Sequence, residues 1–180
     1  MLWPIAAAAL RASLTAGGVA ALSAHTAKMS AADASSSPFK PSVVLTASGA
    51  KTAMAAAVNE ADKNGWAVTI AVSDAGGTPL LLERRGAAPM TVEIAMGKAR
   101  TAAISGKETT AFEKVANGDE ATRPRLALLS SALLLMEGGV PIIVDGVVVG
   151  AIGVSGVRSD QDAQVAKAGV TALLADARAS

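Results

Sequence analysis

The feature that most constrains the fold is the run Pro141 to Val144, Asp145-Gly146, Val147 to Val154. Two β-rich stretches are separated by only two residues, and Asp-Gly tolerates the positive φ that a type I′ turn needs at both central positions. The chain must therefore double back into an antiparallel pair. A second such unit lies upstream, where Trp66 to Ser73 is followed by Asp74-Ala75-Gly76-Gly77 and then by Leu80-Leu81-Leu82. Within its first strand Val68, Ile70 and Val72 share one face and Ala67, Thr69 and Ala71 the other, so both faces call for cover.

Helical patterns supply that cover. From Thr46 onward, Ala47, Ala50, Met54, Ala57, Val58 and Ala61 recur on one face until Asn64-Gly65 stops the helix. Thr91 to Ile104 is predicted as a second helix, capped by Thr91 and kept narrow by Ala95, Gly97, Ala99, Ala102 and Ala103. The polar stretch 105 to 125 predicts a short helix at Thr110 to Val115 and then a loop through Asn117-Gly118 and Pro124. Leu126 to Met136, apolar apart from Ser130 and Ser131, reads as a helix by period or as a buried strand by brevity; a strand at its end is expected. Ser159-Asp160-Gln161-Asp162 resembles a capping box ahead of a last helix carrying Val165, Ala168, Gly169 and Ala172. The order α-β-β-α-(α)-β-β-β-α over residues 40–178 implies an α+β fold, profilin-like or PAS-like. Its sheet would have five mostly antiparallel strands, flanked by helices.

Residues 1–36 read differently. Arg11 precedes the apolar run Leu14 to Leu22, and small-residue sites follow at Val19-Ala20-Ala21 and Ala32-Asp33-Ala34, the pattern of an export leader. The run is too short for a membrane span. Ser35-Ser36-Ser37-Pro38 reads as a linker, and the mature protein is expected in the periplasm or secreted. The chain has no Cys and no Tyr, and its one His, His25, lies in this leader. A mature domain without imidazole or thiol excludes His/Cys zinc sites, Cys nucleophiles and Ser-His-Asp triads, and no conventional catalytic constellation is visible. The 16 basic and 15 acidic residues are interspersed, which argues against a nucleic-acid partner. Gly150, Gly153 and Gly156 are spaced G-x-x-G-x-x-G and start inside a strand, so they make no phosphate cradle.

Four blocks, in order, resemble the HbpS/GlcG family, which also supplies the C-terminal domain of PduO-type adenosyltransferases. They are Val68 to Gly77, Lys98-Ala99-Arg100-Thr101-Ala102, Gly138 to Ile142, and Asp145 to Gly156 followed by Gln161-Asp162 and Val165-Ala166. The resemblance covers residues 44 to 175 and implies a haem-associated domain that assembles into homo-oligomers. Haem needs an apolar slot, partners for its propionates and an axial donor. With no imidazole after the leader, the iron is left with Met, a hydroxyl, Lys or water. The cofactor-binding candidates are Arg84 and Lys98 for the propionates and Met96 and Thr110 near the iron, with Met54, Met90 and Met136 as further thioethers. Arg85 and Arg100 flank the same strand and helix. The alternatives are an enzyme-accessory module binding a small carboxylate through Arg84 and Lys98, and a structural oligomer without ligand.

Overall fold

The computed structural model describes Pro38, residues 41–118 and residues 128–179. The expected leader lies outside the described residues, apart from Pro38 of its linker. In chain order the elements are α1 (Ala47–Lys63), β1 (Val68–Asp74), β2 (Pro79–Arg85), α2 (Thr91–Ser105), α3 (Thr110–Asn117), β3 (Gly139–Val144), β4 (Val147–Ser155) and α4 (Ser159–Ala179). The strands form one sheet in the order β2-β1-β4-β3, and every neighbouring pair is antiparallel.

Both expected hairpins are present. Asp145 and Gly146 sit at φ 49° and 78°, positive at both central positions, between Val144 and Val147. In the β1–β2 turn the Asp74 carboxylate accepts from the amides of Gly76 and Thr78 at 2.9 and 2.8 Å. Thr46 caps α1 by accepting from the Gly49 amide at 3.1 Å. Two caps differ from expectation. The Thr91 hydroxyl turns back to the Ala88 carbonyl at 2.6 Å and meets the Thr69 hydroxyl, because it is buried against β1 rather than free to reach its own helix's amides. At α4 the expected box is shifted by one residue, so that Gln161 accepts from the Arg158 amide at 3.3 Å.

Among the described residues the sheet has four strands, not the expected five. Residues 128–138 contain no strand. The Leu134 amide donates to the Thr101 hydroxyl at 2.8 Å, and a side chain on Gly97 would lie 3.1 Å from Leu134. Leu134 thus lies on the outer surface of α2, while Leu128 and Leu129 are exposed. The Gly139 end of β3 is held instead by Thr109 just before α3.

Each face of the sheet has its own cover. Val68, Ile70, Val72, Val140, Ile142, Ile152 and Val154 form a single core with the Ala50, Ala53, Met54 and Ala57 side of α1 and the Val165, Ala166 and Val170 side of α4. The opposite face is built from small residues, with Ala71 against Ala95 and Ala99, and Ala151 against Ala102 and Ala103. There α2 comes down onto the backbone: a Cβ at Gly153 would lie 2.1 Å from the Ala95 carbonyl oxygen, so no other residue fits. Among the described residues, no helix is long and apolar enough to cross a membrane.

Candidate functional site

Lys98 sits on this tightly seated helix, and its side chain is 1% exposed. With no route to water, the ammonium needs internal partners. It donates to the Val154 carbonyl at 2.9 Å and to Asp162 Oδ2 at 2.7 Å. The Asp162 side chain is itself 3% exposed, and its Oδ1 accepts from the Val157 amide at 3.2 Å. Burial pushes the Asp162 carboxyl above its ordinary value, against the pull of Lys98. The pair ties α2, the end of β4 and the start of α4 together.

Gly138 and Gly139 lie over this pair. A Cβ on Gly138, at φ 119°, would come within 2.8 Å of Lys98 Nζ, and one on Gly139 within 2.4 Å of the Lys98 carbonyl oxygen. The glycines are therefore required by close approach. The Thr109 hydroxyl accepts from the Gly139 amide at 2.8 Å, while its own amide donates to the Gly139 carbonyl at 3.0 Å. One residue further on, the Thr110 hydroxyl donates to Glu137 Oε1 at 2.8 Å, and the Glu113 carboxylate accepts from the Glu137 amide. The start of α3 thus brackets Glu137-Gly138-Gly139 with two hydroxyls and a carboxylate. Thr110, having given its proton to Glu137, still has oxygen lone pairs for an electrophile. Among the described residues no group of three His, Cys, Asp or Glu is placed to hold a metal ion.

Of the four expected cofactor-binding residues, Lys98 and Thr110 both join the Glu137–Gly139 segment, but the Lys98 ammonium is committed to Asp162 and Val154. Met96 is half-buried over Ala71, Ala95 and Ala99. Arg84 is exposed on the edge strand, reaching the Ala87 carbonyl at 3.4 Å. Neither is among the residues bonded in the cluster. Arg85 is held by Asp62 and Glu83, both at 2.8 Å, and Arg100 is exposed with its stem against Gly77. Met90 and Met136 are exposed and Met54 is buried. Sequence reasoning missed Thr109, Glu113, Glu137 and the partnership of Asp162. The one usable signal was Lys98 itself, since a lysine among small packed residues demands a carboxylate.

Outside the cluster, clefts border both edge strands. Because α1 and α4 pack on each other over the middle of the sheet, β2 is left with little cover. A groove of about 440 Å³ runs between it and α1, lined by Lys51, Met54, Ala55, Val58, Asn59, Leu81, Leu82 and Glu83. The cleft between β3 and α4 is about 580 Å³, but its charged groups, Lys167 and Glu108, satisfy each other at 2.9 Å.

This architecture has relatives. The family described as "Haem degrading protein HbpS-like" matches residues 45–171. Protein GlcG of Escherichia coli strain K12 is 44% identical over 118 residues, which is 65% of this chain and 85% of GlcG. The crystal structure of HbpS superposes with a TM-score of 0.67 at 35% identity, covering 74% of this chain and 93% of that one. A PduOC–haem complex superposes with a TM-score of 0.66 at 27% identity, covering 72% and 95% of the two chains. The matched span takes in Lys98, the glycine pair above it and Asp162, along with every strand of the sheet, and on that ground the chain belongs to the HbpS-like family.

Proposed function

We propose that this protein binds haem outside the cytoplasm, as a homo-oligomer acting in haem or iron stress, with degradation of the macrocycle as a further activity. The observation that carries the reading is the likeness of its fold to the PduOC chain crystallised with haem. The residues present fit such a ligand. An apolar groove of a size usual for ligand sites lies beside β2, with the exposed cation Lys51 available for a propionate and the Met54 thioether in place of an imidazole. Bound haem would supply the iron's redox chemistry. The chain's own contribution is to orient the macrocycle, pair its carboxylates and limit access of water.

Titration of the purified protein with haemin, followed at the Soret band, is expected to show saturable binding. It should survive removal of residues 1–34 and with them His25. A featureless titration overturns the haem reading. Export is tested by mass spectrometry of the native protein, expected to give an N-terminus between about residues 22 and 35. A second reading, an accessory module for small carboxylates, is favoured by the lack of any His among the described residues. Calorimetry with small organic acids separates the two, and binding of neither ligand leaves a structural oligomer.

A further inference from the structure

We propose that the haem site of this chain is the groove between α1 and β2, with Lys51 holding a propionate and the Met54 thioether as the donor facing the iron. The proposal rests on the haem reading above and adds the place. On α1, Lys51, Ala55 and Asn59 follow one another at four-residue spacing along the rim, while Met54 and Val58 lie one step inward. On β2, Leu81 and Glu83 pair with Val72 and Ile70 and so share the face that α1 covers. The walls are therefore aliphatic. Ala55 is small and exposed, so the helix side stays open.

The charges at the rim are unequal. Glu83 is paired with Arg85 at 2.8 Å, a guanidinium it shares with Asp62, whereas Lys51 is exposed and has no carboxylate partner among the described residues. An apolar groove with one uncompensated ammonium at its edge is complementary to a large apolar ligand carrying a carboxylate. A small hydrophilic acid would leave the walls unused. The Lys98 cluster offers no competing cation, because its ammonium is closed off under Gly138. Met54, 7% exposed, lines the groove and brings a soft sulfur donor of a kind that ligates haem iron.

The test is a haemin titration of the full chain and of four single variants, each first checked for a parental circular-dichroism spectrum. Lys51→Glu reverses the rim charge and Ala55→Phe fills the groove from an exposed position; each is expected to raise Kd by about tenfold or more. Met54→Leu conserves volume and is expected to shift the visible bands of the bound ferrous haem. Lys114→Glu, an equal charge change on α3, is expected to leave Kd unchanged. Parental affinity in both Lys51→Glu and Ala55→Phe overturns the placement while the haem reading stands. Equal weakening by Lys114→Glu overturns the role of Lys51, and unchanged bands in Met54→Leu overturn that of the thioether. No spectral change with the parent protein overturns the haem reading and this site together.

Discussion

The two faces of the sheet are held by different physics. Toward α1 and α4 the strands present Val68, Ile70, Val72, Ile142, Ile152 and Val154, all fully buried, and adhesion there is a matter of apolar area removed from water. Toward α2 the same strands present Thr69, Ala71, Ser73, Ala151 and Gly153, which offer little area but allow the helix backbone to touch the sheet. What that face lacks in volume it makes up in specific polar links: Lys98 to the Val154 carbonyl and to Asp162, and Thr69 to Thr91. A face built on volume tolerates small changes of side chain. One built on contact distance and buried charge does not.

The largest effect expected from breaking this contrast is at the buried pair. Asp162→Ala strands the Lys98 ammonium in a dry site and should cost about 3–5 kcal/mol in urea denaturation. The double change Lys98→Met with Asp162→Leu removes both charges and should recover most of that loss, which separates the penalty of an unpaired charge from the worth of the pair. If the single variant loses less than about 1 kcal/mol, water reaches Lys98 and the site is not dry. Next comes Gly153→Ala. One methyl group placed against the Ala95 carbonyl should cost about 1–3 kcal/mol by overpacking, and the urea midpoint should fall without a change in slope. On the aliphatic face an edit of the same size, Ile142→Val, should cost only about 0.5–1.5 kcal/mol. Equal losses from the last two would erase the distinction between the faces.

The same contrast explains what the sequence made legible. Both hairpins could be read because turn chemistry is local: Asp145-Gly146 and Asp74 to Gly77 carry their own conformational signal. Helices were legible from their periods, and the alanines of α2 correctly announced close packing. The expected fifth strand failed because an apolar run records neither what will cover its leucines nor whether all of them are covered; here Leu134 lies beside Gly97 and Thr101 of α2, while Leu128 and Leu129 are exposed. The site was harder still. Lys98 and Asp162 are 64 residues apart, and Asp162 already had a local explanation as an acidic residue at a helix start. Thr110 was visible as a hydroxyl, but its partner Glu137 stands 27 residues on, beyond a stretch with no readable pattern. The groove beside β2 depends on how far α1 reaches across the sheet, which no local signal encodes.

The smallest effect, and the finest test of the polar face, is the pH dependence of the pair. Desolvation outweighs the attraction of Lys98 and raises the folded-state carboxyl of Asp162 above its ordinary value of 3.8. The folded state therefore binds the proton more tightly than the unfolded chain does. Asp162's contribution to stability is fully present below the unfolded value and is lost as pH rises from there through the raised folded value. This agrees with a pair that is expensive to bury yet more expensive to halve, since protonated Asp162 can keep its bonds to the Val157 amide and the Lys98 ammonium whereas alanine keeps neither. The measurement is the difference in unfolding free energy between the parent and the Lys98→Met, Asp162→Leu double variant, taken from the acid side toward neutrality. Surface groups common to both proteins cancel in that difference, so the parent should lose ground as pH rises. If it gains ground instead, the pair is net attractive, and the α2 face is held by charge as well as by close approach.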